Sequence, residues 1–162
     1  MLIDSLLTLS GSTANGTFAG SNMFGSGTTV VSPNTIDVSS QGVPSGNVRD
    51  MGEGQELFAR VEITTSYVGG TSVQFEVVAS DDAAGTVNTT VIGSSEVVAV
   101  ANAIAGARYA FPINPRLAKL GQRYITLQAV NVGVNTAGAV FADIGTGIQD
   151  GQKFYTSGFQ VL

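Results

Sequence analysis

Carboxylates are the side chains of this chain best suited to chemistry, and two of them stand in the segment DIGTGIQDG at 143–151. Asp143 and Asp150 flank a glycine-rich stretch, an arrangement that suggests a calcium ion held by carboxylate oxygens. Calcium takes about six to eight oxygen ligands, however, and the segment supplies only two carboxylates. Because an aspartate after a strand often begins a turn, a plain turn is the favoured interpretation.

A second carboxylate pair, Asp81 and Asp82, follows a predicted strand. Paired carboxylates can share acid–base work or bind a metal. Adjacent residues of a strand, however, point to opposite faces. A solvated loop is therefore the preferred interpretation of this pair.

The chain contains no cysteine and no histidine. This excludes a Cys/His zinc site, a thiol nucleophile, a Ser-His-Asp triad and a histidine general base. We predict no catalytic residue, no metal and no cofactor. An enzyme would need paired carboxylates in a cleft, and it is the least favoured alternative.

The composition indicates a surface that is poor in charge. Charged residues make up 12% of the 162 residues and hydrophobic residues 43%, whereas about 25% charged is usual. Such surfaces are typical of proteins that are covered by a partner or by a repeated assembly. The net charge of −5 disfavours non-specific nucleic-acid binding. No apolar run reaches membrane-spanning length, so no membrane partner is expected.

Short alternating segments predict β-strands from residue 30 onward. Within 56–67, Leu57, Ala59, Val61 and Ile63 share one face, and the glycines at 69–70 predict a hairpin to 71–80. A second hairpin is predicted across VNTA, between 122–133 and 137–145. Further strands are predicted at 28–38, twice within 86–104, at 107–113 and at 153–162, with one helical turn at 114–122. About eight short antiparallel strands indicate an all-β jelly roll or β-sandwich.

The N-terminal part is expected to differ from this sandwich. We divide the chain into residues 1–35, a strand and an arm, and residues 36–162, the sandwich. Residues 10–29 have five glycines and no charge, so they cannot form a core of their own. They form either a mobile loop or an arm that is ordered only against a neighbouring subunit. The arm hypothesis takes its apolar contacts from Leu2, Ile3, Leu6, Leu7, Phe18 and Phe24. Removing residues 1–25 should then weaken binding to the neighbouring subunit and leave the fold intact.

Two charged regions have both a structural and a functional interpretation. Arg49, Asp50, Gly52 and Gly54 suggest a structural turn that leads into the strand from Leu57, and the functional alternative is a contact loop. The basic residues of 106–128 are either a solvated end of the sandwich or a patch complementary to an acidic partner surface. They are Arg108, Arg116, Lys119 and Arg123.

The order of several blocks resembles the capsid cement proteins of Bordetella-type tailed bacteriophages. The blocks are RDMGEGQELFARVEI, GGTSVQFEVVAS, AGARYAFPI, QRYITLQ, TAGAVFADI and YTSGFQV, and the likeness covers about residues 36–162. The resemblance implies a jelly-roll protein on the outer surface of an icosahedral head, assembled in the cytoplasm of a bacterial host. Its partners would be the major capsid protein and further copies of itself, as a dimer or trimer. It implies no catalytic residues and no contact with the genome.

A carbohydrate- or receptor-binding sandwich of a phage fibre or adhesin is the alternative. Such sites usually present aromatic platforms, and this chain has no tryptophan. Its tyrosines are the remaining candidates: Tyr67, Tyr109, Tyr124 and Tyr155.

Overall fold

The computed structural model describes residues 5–13, 18–38, 56–114 and 122–146. Among these residues no helix is long and apolar enough to cross a membrane. Short 3-10 helices lie at Ser5–Leu7 and Val100–Asn102. The described strands are β1 (Thr8–Ser10), β2 (Ser21–Asn22), β3 (Thr29–Asp37), β4 (Leu57–Gly69), β5 (Ser72–Ser80), β6 (Thr90–Ser94), β7 (Val98–Ala99), β8 (Arg108–Ile113), β9 (Tyr124–Val132) and β10 (Asn135–Thr146).

The strands form two antiparallel sheets packed as a sandwich. Sheet 1 has the order β1-β10-β4-β8, and β2 also pairs with β10. Sheet 2 has the order β3-β9-β5-β6, and β7 also pairs with β5. This confirms the predicted all-β sandwich, with ten described strands where about eight were expected. The pairing is nested along the chain, since β1 pairs with β10, β3 with β9, β4 with β8 and β5 with β6. Such nesting is consistent with the jelly-roll form of the prediction.

The core lies between the sheets and follows the alternation read from the sequence. In β4 the side chains of Ala59, Val61 and Ile63 are buried, as the pattern predicts. From the other sheet Phe75 lies fully buried, and its ring meets the Tyr67 ring edge-on at 6.2 Å between centroids. Each such large side chain contributes roughly 1.5–3 kcal/mol to folding by leaving water.

Both predicted hairpins are wrong, although their strands are present. β4 pairs with β8 and β10, whereas β5 pairs with β6, β7 and β9. The glycines at 69–70 therefore carry the chain from sheet 1 to sheet 2. The connection between β9 and β10 likewise crosses from sheet 2 to sheet 1. A glycine turn reverses the chain both in a hairpin and in a connection between two sheets. The burial of the flanking strands determines whether these strands pair within one sheet or pack face to face in two.

The two crossings, which we call arches, stack on one another at one end of the sandwich. The Thr71 N–H donates to the Val132 carbonyl at 2.7 Å. Gly133 has a φ of +80°, and a Cβ on it would lie 2.9 Å from the Gly70 Cα. Only glycine allows this approach of the two backbones. We call this end, built from residues 25–28, 66–71, 100–106 and 132–137, the arch end.

We call the opposite end of the sandwich the far end. Leu57 pairs with both Ile113 and Thr146, and Asp37 pairs with Tyr124. The residues that border 39–55, 115–121 and 147–162 therefore all lie there. Three predicted elements fall outside the described residues. They are the turn at Arg49, Asp50, Gly52 and Gly54, the helical turn at 114–122 except for its two end residues, and the strand at 153–162.

Residues 18–29 are ordered against their own sandwich. β2 pairs with β10, and Met23 is fully buried. The buried Asn131 side chain donates to the carbonyls of Met23 at 3.2 Å and Thr28 at 3.1 Å, which fixes this segment to β9. The described part of the low-complexity stretch thus differs from an arm that is ordered only against a neighbour. The split into residues 1–35 and 36–162 stays a prediction.

Pro33 lies at an irregularity in an edge strand. β3 forms the edge of sheet 2, and its register with β9 shifts between Val31 and Thr35. Proline cannot donate to a ladder, so an irregular edge position accommodates it.

Candidate interaction surfaces

The N-terminal leucines separate into exposed and buried positions. Leu6 is 79% exposed and Leu7 39%, whereas Leu9 is fully buried in the core. Leu9 is held from across the sandwich, because the Ser32 hydroxyl donates to its carbonyl. Leu6 and Leu7 are therefore available for a contact, while Leu9 belongs to the fold. Leu2 and Ile3 lie outside the described residues.

Leu6 borders a groove of about 650 Å³ between the N-terminal segment and the edge strand β3. Asn34 closes its floor, since its Nδ2 donates to the Gly11 carbonyl at 2.7 Å. The lining is uncharged and mixes an apolar side chain with hydroxyl and amide groups. It consists of Leu6, Thr8, Gly11, Ser12, Thr13, Pro33, Asn34 and Thr35. Such a lining suits an uncharged peptide segment better than an ion.

The two predicted phenylalanine contacts have different surroundings. Phe18 is 58% exposed, and its ring meets Phe141 of β10 edge-on at 5.3 Å. Phe24 instead packs against the core of its own chain. Phe24 is thus an anchor within the molecule, and Phe18 retains an exposed face for a partner.

Of the predicted basic residues, the structure describes Arg108 on sheet 1 and Arg123 beside sheet 2. Arg108 of β8 pairs with Glu62 at 3.0 Å on sheet 1. Arg123, just before β9 of sheet 2, donates to Asp37 at 3.0 Å and lies over the Tyr124 ring. Each guanidinium is thus matched by a carboxylate of the same chain. Arg116 and Lys119 lie outside the described residues, so their role stays a prediction.

Asp143 is a buried ion-pair residue and not the start of a turn. It lies within β10 and is 3% exposed, and Arg60 Nε donates to its Oδ1 at 2.9 Å. Burial raises the pKa of Asp143, and the Arg60 guanidinium opposes that rise. The bidentate pair occupies both carboxylate oxygens, which weighs against the calcium interpretation. Asp150 lies outside the described residues.

Asp81 and Asp82 form part of a loop, as predicted, but the loop is internally bonded. Asp82 accepts hydrogen bonds from the Val87 N–H at 2.7 Å and the Thr86 N–H at 2.8 Å. These bonds, that from Val87 foremost, hold the pKa of Asp82 below its usual value. Asp81 accepts from Asn88 Nδ2 at 3.0 Å. Within the described ranges, no group of three or more acidic side chains is placed to hold a metal ion.

The described tyrosines are engaged within the molecule. Tyr67 is buried, its hydroxyl donates to the Met23 carbonyl at 3.2 Å, and burial raises its pKa. The Tyr109 hydroxyl donates to the Asn102 carbonyl at 3.2 Å. Arg123 covers one face of Tyr124, with 4.7 Å from its Cζ to the ring centroid. None of the three is an open aromatic platform, and Tyr155 lies outside the described residues.

The sequence reasoning missed the aliphatic side chains of the arch end. Four of them are between 50% and 60% exposed. They are Val68, Ile104, Val132 and Val134. The predicted hairpins put Val68 and Val132 next to turns, where a valine is expected to be an ordinary strand residue. These side chains come together at one end of the molecule because both connections cross from one sheet to the other, and the sequence does not reveal that crossing.

Comparison with known families settles where the chain belongs. The model of the family Bbp16 matches residues 25–144, about three quarters of the chain. The chain belongs to the Bbp16 family. Bbp16 carries the name of a Bordetella phage protein, which is consistent with a bacteriophage origin. The Bbp16 match takes in every strand from β3 and runs into β10, so it covers most of the sandwich and leaves out β1 and β2. No curated protein matches the chain.

Proposed function

We propose that this chain is a structural virion protein, a cement that binds the outer surface of a phage head and bridges neighbouring major capsid proteins. The observation that carries the proposal is the Bbp16 match across the sandwich. The order of sequence blocks that resembles phage capsid cement proteins agrees with it. The proposed partners are the major capsid protein and other copies of the chain, without nucleic acid, membrane or cofactor.

The described surface supports a role in contacts. The stacked arches and the nested strands make a rigid body, and rigid bodies lose little entropy when they bind. Leu6 and Leu7 present apolar side chains beside the uncharged groove. A shell repeats the same contact many times, so weak individual contacts can stabilise the whole assembly.

The burial of Leu9 and Met23 changes the design of the deletion test. Both side chains are fully buried in the core, so removing residues 1–25 would damage the fold as well as any contact. Substituting the exposed leucines separates the two effects, because Leu6 and Leu7 contribute little to the core.

The double variant Leu6→Ser/Leu7→Ser tests the proposed contact. Losing two exposed leucines from an interface should weaken binding to shells that lack the protein by about tenfold, equivalent to ~1.4 kcal/mol. Co-sedimentation with such shells measures the affinity, and thermal melting checks that the fold is intact. The matched control is Val87→Ser, a side chain that is 53% exposed in the loop after β5. If the wild-type protein binds the shells and the double variant binds them equally tightly, these leucines have no role in the contact.

A further inference from the structure

The uncharged groove lies between two walls that are bonded to each other. One wall is the N-terminal segment 6–13, in which β1 is paired with β10. The other wall is the irregular part of the edge strand β3. The Ser32 hydroxyl of β3 donates to the Leu9 carbonyl, which joins the two walls. A second bond, from Asn34 Nδ2 to the Gly11 carbonyl at 2.7 Å, fixes their separation. The groove is therefore preformed, and binding there costs little ordering of the protein.

The edge strand at the groove is unsuited to regular strand pairing. Pro33 has no N–H to donate, and the register of β3 with β9 shifts between Val31 and Thr35. A proline and an irregularity at a sheet edge prevent another strand from extending the sheet. An occupant of the groove is therefore recognised by the side chains of the lining and not by a continuous ladder of main-chain hydrogen bonds.

The lining is neutral and mostly polar. Most of its side chains carry a hydroxyl or an amide group, and these belong to Thr8, Ser12, Thr13, Asn34 and Thr35. Hydroxyl and amide groups both donate and accept hydrogen bonds, which matches the N–H and C=O groups of a peptide. A charged group that entered the groove would lose water and find no opposite charge in the lining. The 79% exposed Leu6 adds an apolar contact.

We propose that the groove receives an extended, uncharged peptide segment of the major capsid protein, with an apolar side chain of that segment against Leu6. This inference rests on the proposed function, because it states which kind of segment the N-terminal face recognises. Leu6 belongs both to the groove and to the proposed contact with the shell, so one partner reaches both.

The size and chemistry of the groove favour a short peptide over other occupants. Its volume of about 650 Å³ lies within the range of about 300–1,000 Å³ that is typical of ligand sites. An ion would find no opposite charge in the lining, and a sugar would find no aromatic side chain there. A neutral peptide segment meets neither obstacle.

Charges of both signs in the groove test whether its occupant is uncharged. Thr13→Glu and Thr13→Lys should each weaken binding to shells that lack the protein by about tenfold or more, because either charge is desolvated against a neutral segment. Thr71→Glu and Thr71→Lys are the matched controls at an exposed threonine of the arch end, and they should leave the affinity within about twofold. Co-sedimentation measures the affinity, and thermal melting checks that each variant is folded. Opposite effects of Glu and Lys at position 13, or effects no larger than those at position 71, would overturn the proposal.

A cross-link identifies the occupant directly. A benzophenone amino acid is placed at position 13 of the full chain, the protein is bound to shells and irradiated, and mass spectrometry locates the linked peptide. We expect a segment of the major capsid protein that has no Asp, Glu, Lys or Arg around the linked position. A link to a charged segment or to another copy of this chain, or no link from shell-bound protein, would overturn the inference and leave the proposed function standing. A wild-type chain that does not bind shells would overturn both.

Discussion

At the residue scale, Arg60 and Asp143 form an ion pair that is more deeply buried than the Arg123–Asp37 and Arg108–Glu62 pairs. The two residues are 83 positions apart and meet because β4 and β10 are neighbours, with Arg60 directly opposite Asp143. Burial raises the pKa of the carboxyl and the guanidinium counteracts this. The sequence suggested a calcium ligand at Asp143 because its spacing to Asp150 was visible and its spatial partner was not.

Replacing Arg60 with Met should cost about 3 kcal/mol at pH 7, because it leaves a buried carboxylate without its cation. The pKa of Asp143 would then rise further above its unfolded value of about 3.9. A carboxyl with a raised folded pKa destabilises when it ionises, so stability returns as the pH falls through that pKa. Urea unfolding of wild type and variant between pH 7 and pH 4 measures this.

The control for this prediction is the double variant Arg60→Met/Asp143→Asn, which has no ionisable group at position 143. The difference in stability between this double variant and wild type should lack most of the pH dependence expected for the single variant Arg60→Met. A deficit of the single variant that stays constant over the whole pH range would contradict the assigned role of the carboxyl.

At the element scale, alternation predicted the strands, and it could not predict which sheet each joins. Leu57 to Ile63 alternates as expected of a sheet with one buried face. In β5, however, four consecutive residues from Val77 to Ser80 are buried, because the loop after β5 lies over the outer face of sheet 2, where a Cβ on Gly85 would be 2.7 Å from Thr126 Oγ1. The glycines at 69–70 fit a hairpin or an arch equally well. Their true role depends on contacts with the end of β9 and the start of β10, more than 60 residues away.

The stacking of the arches gives a prediction about Gly133. A Cβ at this position meets the Gly70 backbone, whereas one at Gly106, with a similar φ of +88°, meets nothing within 4 Å. Gly106→Ala should lose only the cost of a left-handed alanine, about 1 kcal/mol. Gly133→Ala should lose at least about 1 kcal/mol more, from the backbone collision. Thermal or urea unfolding of both variants measures the difference, and equal losses would show that the arches are not in tight contact.

At the scale of the whole molecule, the sandwich has two ends with different properties. The arch end is neutral, apolar and rigid, and it is made entirely of described residues. The far end is charged, and the described residues that border 39–55, 115–121 and 147–162 lie there. A bridging protein needs at least two separate contact surfaces. The N-terminal face with Leu6 and Leu7 is the one that we propose for the shell.

Electron microscopy of particles assembled with and without the chain is the direct test of whether it is a cement on the outside of a phage head. We expect the difference map to show density of the size of this sandwich, repeated at symmetry-related sites on the outer surface of the shell. We also expect particles without the protein to lose integrity sooner on heating. Identical maps, or extra density confined to the tail or to the inside of the head, would contradict it.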